Sequence, residues 1–370
     1  MSCTTVNTNI WNEVLLPPPS ALLETTSATE EDYEFVTESR ATITDILNGK
    51  DSRLLCVVGP CSIHNTTEAI EYAKCLKELR ALPNIFIVMR TYCEKPRTVT
   101  GWKGLMYDPR MDNSNDILSG LIKSRTLLLT LTRLGIPCAC ELLDTILPQY
   151  YSDLVSWGCI GARTCESQLH RQLVSGLSMP VGFKNSTSGC IRVAIDSILA
   201  ARRSHSFPGL SFSGSPAILQ TTGNQCTHIV LRGSSEGPNY DAASIENVRK
   251  LLDARDIPDT AIVVDCSHGN SGKDYRKQRV VLMDLLEQKP RYIRGVMLES
   301  NIKSGSQVLD PDDVGQLRYG VSITDGCIDL EETKELCESM SRALEERRTT
   351  NQVRSPDDSS SSRRVMRHST

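Results

Sequence analysis

The chain has 370 residues, 41 Lys and Arg against 45 Asp and Glu, a formal net charge of -4 and 39% hydrophobic residues. That length holds one large α/β domain or two average ones, and the composition supplies a sizeable core. The acidic balance argues against a nucleic-acid or membrane-surface binder, so any cationic site must be local, and no apolar run reaches the roughly 18 residues of a membrane span. No Lys or Arg precedes Arg40, which excludes a secretory leader and an Arg-rich transit peptide. The fourteen cysteines are scattered with no CxxC pair, and the expectation is mostly reduced thiols in a cytoplasmic protein.

In chain order, residues 1–29 are rich in Thr, Ser and Pro and read as an extended arm, stiffened by Pro17-Pro18-Pro19. A helix is predicted from Glu30 to Asn48, with Gly49 at its C′ position. Leu54-Leu55-Cys56-Val57-Val58 is a continuous apolar strand. The helix from Asn65 to Leu82 opens on an Asn65/Glu68 capping box, and Ile85–Met89 is the second strand. Then follow a helix over Ile117–Leu134, a strand over Ile136–Cys140, a helix over Pro148–Trp157 and a strand over Cys159–Gly161. Next come a helix over Ser167–Leu177, a strand over Val181–Phe183, a helix over Arg192–Arg203 and a strand over His228–Leu231. The last units are a helix over Ile245–Ala254, a strand over Ala261–Val264, a helix over Tyr275–Gln288, a strand over Tyr292–Leu298 and a helix over Glu331–Arg348. Short, wholly apolar strands alternating with helices indicate parallel strands buried on both faces. Eight such units over about 250 residues predict an α/β fold, a (β/α)8 TIM barrel with an N-terminal extension. The doubly wound open sheet is the alternative. The domains expected are an N-terminal arm and helix over 1–48, the barrel over 49–348 and a disordered tail over 349–370.

Barrel chemistry sits at the C-terminal ends of the strands. Cys61 follows the first strand on Gly59-Pro60-Cys61-Ser62-Ile63-His64, and Arg90, Lys95 and Arg97 follow the second. Glu141, Arg163, Lys184 and Arg232 end the third to sixth strands, His268 lies beyond the seventh, and Glu299 ends the eighth with Asp325 further on. Two subsets emerge. Cys61, His268, Glu299 and Asp325 form a candidate set for one divalent metal ion, and a soft sulfur among N and O ligands suits Mn, Fe, Co or Zn better than Mg or Ca. Arg90, Lys95, Arg97, Arg163, Lys184 and Arg232 would repel one another unless the ligands bring comparable negative charge, as phosphorylated substrates would. Each residue alone has a plainer reading: a buried thiol for Cys61, surface charges for Lys95 and Arg97, a helix cap for Glu299. Their joint position at the strand ends favours the site.

These residues closely resemble type I 3-deoxy-D-arabino-heptulosonate-7-phosphate (DAHP) synthases. The likeness rests on Gly59–His64, Glu94–Thr98 with Gly101-Trp102-Lys103-Gly104, Gly161–Thr164, Pro180–Asn185 and Asp265/Ser267/His268/Asn270, and it spans roughly residues 10–345. The resemblance implies a metal-dependent condensation of phosphoenolpyruvate with erythrose 4-phosphate, the first step of the shikimate pathway. It implies that Cys61, His268, Glu299 and Asp325 hold the metal. Arg90, Lys95, Arg163, Lys184 and Arg232 take phosphoenolpyruvate, with Gly161 and Ala162 beside it. Lys95, Pro96, Arg97 and Thr98 take erythrose 4-phosphate. Lys95 is the candidate proton donor, and His268 or Glu141 handles the water; the sequence does not separate those two. A homo-oligomer (dimer or tetramer) and inhibition by an aromatic amino acid are implied, with residues 1–48 and the 144–157 region as the regulatory elements.

Several positions depart from the family pattern. Lys-Asn-Gly-Thr-Asp-Gly is here Lys184-Asn185-Ser186-Thr187-Ser188-Gly189, and Gly-Gly becomes Gly233-Ser234. Phe becomes Cys266 and Ala becomes Gly269. A serine in place of glycine strains the loop if its φ is positive. The departures keep two alternatives open: condensation with arabinose 5-phosphate instead, and a catalytically weak paralogue that binds phosphoenolpyruvate or an aromatic amino acid and acts in regulation.

Overall fold

Strands of four to seven residues with Val, Ile, Leu and Cys on both faces are stable only when covered on both sides, and the chain meets that need by closing them into a barrel. The computed structural model describes residues 5–288 and 292–353. The barrel strands are β1 (Leu54–Gly59), β2 (Ile85–Arg90), β3 (Cys138–Glu141), β4 (Trp157–Ile160), β5 (Val181–Lys184), β8 (Thr227–Leu231), β9 (Ile262–Asp265) and β10 (Ile293–Glu299). They pair in parallel and in order around the ring, with β10 closing onto β1. The (β/α)8 barrel predicted from sequence is therefore the fold. Helices α3 (Thr66–Leu79), α4 (Ile117–Arg133), α5 (Gln168–Gly176), α6 (Ile191–Ala201), α7 (Ala242–Asp253), α8 (Gln278–Gln288) and α9 (Leu330–Val353) return the chain between strands and follow the last one. Register places the functional ends at one level: Gly59 pairs with Glu299, Met297 with Asp265, and Lys184 with Val230. Among the described residues no helix is long and apolar enough to cross a membrane.

The N-terminal helix α2 (Glu30–Leu47) opens on a reciprocal Thr29/Asp32 capping box. Its Ile43, Ile46 and Leu47 belong to one buried cluster with Leu55, Val57, Phe86, Trp157, Val263 and Met297. The helix therefore plugs the end of the barrel opposite the active mouth, and the second core lies between the strands and the outer helices.

The structure departs from the sequence reading in four places. Pro148–Trp157 is not an α-helix but two 3₁₀ turns, Leu147–Tyr150 and Ser152–Leu154, and Trp157 opens β4. The carbonyls that would continue a helical ladder are taken by arginines. Arg125 Nη1 donates to Tyr150 O (3.1 Å), Arg40 Nη2 to Ser152 O (2.7 Å) and Arg40 Nε to Val155 O (2.9 Å). Part of the arm expected to be extended forms α1 (Pro19–Thr25), begun by a proline whose missing N–H costs nothing there. A hairpin absent from the reading, β6 (Ser206–Leu210) and β7 (Pro216–Gln220), turns through Gly214 at φ +82°. Its outer end is tied to α1 by Ser20 N donating to Phe212 O at 3.0 Å. Finally, α9 runs to Val353, so the first residues of the expected tail are helical; 354–370 lie outside the described residues.

Candidate active site

The turn after β1 brings Cys61 under the ends of β10 and its following loop. Ligand atoms of Cys61, Glu299 and Asp325 all lie within 4.8 Å of one another. Cys61 Sγ is 3.6 Å from Asp325 Oδ2, and Lys95 Nζ donates to that sulfur at 2.8 Å while lying 3.7 Å from the same carboxylate. His268, the fourth residue of the set, stands slightly apart: its Nε2 is 3.8 Å from Glu299 Oε1. Its backbone adopts φ +54°, in the left-handed region where histidine is among the better-tolerated non-glycine residues. Burial, reinforced by Glu299, pushes the Cys61 thiol up to about 12. Burial would also raise Glu299, but His268, Arg90 and Lys95 outweigh it and hold the carboxyl below its ordinary value. Thiol, carboxylates and imidazole fit a divalent cation of borderline softness, which would displace the thiol proton on binding.

Asp265 ties this cluster to the anion-binding side. Its fully buried carboxylate lies 2.9 Å from both Lys184 Nζ and His268 Nδ1 and accepts Ser267 N–H at 3.0 Å. Burial opposes the charge, yet His268 and Lys184 keep Asp265 well below the usual carboxylate range. Arg90 is equally enclosed: it donates to Glu299 Oε1 at 3.0 Å and to Pro60 O at 3.3 Å, and its guanidinium lies 4.0 Å from the centre of the Tyr92 ring. Ser267 Oγ donates to Glu299 Oε2 at 2.8 Å, and Glu299 N donates to Gln278 Oε1 at 2.7 Å. Arg232 is buried at the end of β8 and Arg163 is exposed on the opposing turn, near enough for its charge to lower the Arg232 pKa alongside burial. Glu141 ends β3. Gly161 lies opposite it, where a Cβ would come 2.1 Å from Glu141 Oε1 and push that carboxylate aside; Ala162 beside it is half-buried.

The structure thus gathers Cys61, Arg90, Lys95, Lys184, Glu299 and Asp325, with His268 and Arg232 adjoining. Pro96 is half-buried, and Arg97 and Thr98 are exposed on the rim, away from the buried floor. Trp102 braces that rim by donating Nε1–H to Asp108 O at 2.8 Å. Ser186 is not in the positive-φ region, so the substituted loop carries no such strain. Its hydroxyl instead pairs with Ser188 Oγ at 2.9 Å and accepts Cys190 N–H at 3.0 Å. Asp265, Ser267 and Gln278 had no individual role in the sequence reading. Asp265 had one usable signal, a carboxylate directly after an apolar strand.

Glu94 was also unassigned. It is buried beneath the rim, accepting Tyr151 O–H at 2.8 Å and Asp144 N–H at 3.1 Å. Burial, only partly offset by Tyr151, raises its pKa from 4.5 to about 8. The folded state therefore holds this proton more tightly than the unfolded chain, and stability falls as pH rises between those two values. Glu94→Gln removes the titration. Urea midpoints at about pH 5, 6.5 and 8 should decline less in the variant than in the wild type; a constant offset between them would refute the assignment.

Such a mouth belongs to a barrel enzyme that works on small, multiply anionic molecules beside a metal. The sequence profile of the DAHP synthetase I family matches residues 26–338. The Phe-sensitive phospho-2-dehydro-3-deoxyheptonate aldolase of Escherichia coli is 48% identical over 338 residues, covering 90% of this chain and 95% of the relative. The tyrosine-inhibited aldolase of Candida albicans is 47% identical over 342 residues, covering 90% and 92%. The solved phospho-2-dehydro-3-deoxyheptonate aldolase of Francisella tularensis superposes with a TM-score of 0.88 at 46% identity, covering 91% and 99%. The chain belongs to the DAHP synthetase I family, that of the feedback-regulated type I enzymes.

Proposed function

We propose that this barrel mouth carries out the family reaction through the residues named above. The enzyme condenses phosphoenolpyruvate with erythrose 4-phosphate and water to give 3-deoxy-D-arabino-heptulosonate 7-phosphate and phosphate. The observation that carries the site assignment is the contact of Lys95 with both Cys61 and Asp325 at the level of the buried cations Arg90 and Lys184.

In this reading Arg90, Lys95, Arg163, Lys184 and Arg232 neutralise phosphoenolpyruvate, and Pro96, Arg97 and Thr98 take the aldehyde substrate from the rim. Holding two mutually repelling anions in reach of one another removes much of the entropic and electrostatic barrier. Cys61, His268, Glu299 and Asp325 hold one divalent ion, drawn from Mn, Fe, Co or Zn by donor type. When bound, it supplies Lewis acidity toward the aldehyde oxygen. Lys95 gives its proton to that oxygen as C3 of phosphoenolpyruvate attacks. With one ring nitrogen of His268 given to the metal and the other facing Asp265, Glu141 takes the proton of the water that adds at C2, and phosphate leaves with its bridging oxygen.

An aromatic amino acid is the inhibitor in this reading, since the relatives carry the names Phe-sensitive and tyrosine-inhibited. A homo-oligomer is supported by apolar side chains on the arm and hairpin, among them Trp11 at 95%, Leu15 at 84% and Ile218 at 76% exposure. Among the described residues the cysteines are free thiols, in keeping with a cytoplasmic location.

Chelated enzyme should not consume the phosphoenolpyruvate enol absorbance when erythrose 4-phosphate is added. Mn or Co should restore the loss, and Cys61→Ala should abolish it. Faster loss with arabinose 5-phosphate would transfer the reading to that substrate. No loss from folded protein under any metal would overturn it in favour of a regulatory paralogue.

A further inference from the structure

Three asparagines join the ends of β5, β8 and β9, and the one at the centre lies outside every motif noted in the sequence. The chain leaves β8 through Gly233 at φ +70°, where a Cβ would lie 2.4 Å from Gly269 C and 2.5 Å from Asn270 N. A Cβ on Gly269 would in turn lie 2.4 Å from Ser234 N. The loops after β8 and β9 therefore touch backbone to backbone. Arg232 O accepts Gly269 N–H at 2.9 Å and Asn270 N–H at 3.2 Å. Asn239 spans this junction. Its Oδ1 accepts Gly233 N–H at 2.8 Å, its N–H donates to Asn270 Oδ1 at 2.8 Å, and its Nδ2 donates to Asn185 Oδ1 at 3.2 Å. Asn185 Oδ1 also accepts the N–H of Arg232 at 2.9 Å, and Asn270 Nδ2 donates to Leu231 O at 3.1 Å and Asp265 O at 2.9 Å.

We propose that Asn239 is a positioning residue that makes the anion-binding end of β8 and the metal-holding loop after β9 one rigid body, so that affinity for phosphoenolpyruvate and for metal depend on it together. The inference rests on the roles given above to Arg232 and His268. Those residues lie on either side of the junction: the Asn239 side chain accepts the N–H of the residue after Arg232, and its backbone N–H donates to the side chain two residues after His268. Ser235, Glu236 and Pro238 of its own loop are exposed, and packing against the core begins only at Tyr240. Two of the bonds of Asn239 are directed at the two site loops, and the third at buried Asn185 beyond β5. The rim carrying Arg97 and Thr98 follows β2, on the other side of the ring.

Asn239→Ala leaves Gly233 N–H without its acceptor and frees Asn185 from one partner, so the backbone N–H that donates to Asn270 loses the two side-chain anchors that hold it in place. Removing a group bonded directly to a metal ligand costs roughly 10–100-fold in affinity, and Asn239, which touches none of the four, should fall at the low end of that range. The expected result is a rise of about tenfold in both the phosphoenolpyruvate KM and the Mn dissociation constant, the latter titrated without substrates, with the erythrose 4-phosphate KM unmoved. Asn224 provides the comparison. It is a buried asparagine near the opposite end of the barrel, where Nδ2 donates to Leu177 O at 3.2 Å and Met179 O at 3.0 Å. Asn224→Ala should lower the melting temperature without moving either constant. If Asn239→Ala behaves in that way, Asn239 is only structural and the inference is overturned. Should Asn239→Ala fail to fold, Asn239→Leu keeps the side-chain volume and removes both the acceptor for Gly233 and the donor to Asn185. It should show the same paired shift, and its absence overturns the inference equally. Arg232→Ala and His268→Ala separate the two levels. If they leave both constants unchanged, the site assignment fails and the inference with it; if they move them and the Asn239 variants do not, the inference alone fails.

Discussion

Asp265→Asn should weaken metal binding by about 10–100-fold and destabilise the protein by about 3–5 kcal/mol. The substitution keeps the shape of the side chain, removes its charge and turns one acceptor oxygen into an N–H donor. In the wild type that charge faces Lys184 Nζ and His268 Nδ1, each at 2.9 Å, and both Asp265 and Lys184 are buried. The variant leaves the Lys184 ammonium in a dry site without a counter-ion, which is the costly case for a buried pair. The exposed pair Lys50–Asp45, with side chains 74% and 49% accessible, marks the other extreme; solvent screens it and its loss should be nearly silent. His268 also loses the carboxylate beside Nδ1, and with it the group that orients Nε2 toward Glu299. Urea unfolding and a Mn titration of the same preparation test both effects. Wild-type stability with wild-type metal affinity would mean that Asp265 is not the hub of the site.

The barrel was legible because burial on both faces leaves a simple trace, short unbroken runs such as Leu54–Val58 and Ile85–Met89. Elements outside the barrel leave weaker traces. The β6–β7 hairpin is half-exposed along both strands, so its residues show neither a continuous apolar run nor a strong alternation. The 147–154 segment has the residues of a helix, but Arg40 and Arg125, distant in sequence, take its carbonyls. In the site, Cys61, Glu299 and Asp325 could be grouped from sequence only through the fold: they meet because β10 closes onto β1. Asp265 was overshadowed by His268 three residues on. Asn239, between Pro238 and Tyr240, reads as an ordinary turn residue. Its role depends on contacts with Gly233, Asn185 and Asn270 that no local pattern encodes.

Lys95→Met should lower turnover by about 10²–10⁴-fold while the metal remains bound. The side chain is 11% accessible, and Nζ sits 2.8 Å from Cys61 Sγ. Burial acts to strip its proton, but Cys61, Glu299 and Asp325 outweigh burial and raise the pKa. In the proposed reaction Lys95 enters as an ammonium, an acid rather than a base. Methionine keeps the length of the stem and removes both charge and proton. It also removes a cation from beside the proposed metal ligands, so metal affinity should not fall for electrostatic reasons. If turnover is lost and excess Mn restores it, Lys95 serves the metal site rather than the proton transfer. Lys95→Arg then distinguishes charge from acidity, because a guanidinium keeps the charge but gives up its proton far less readily. Recovery in the arginine variant would assign Lys95 to electrostatic stabilisation alone. A persistent loss with metal bound would assign it the proton that the aldehyde oxygen receives.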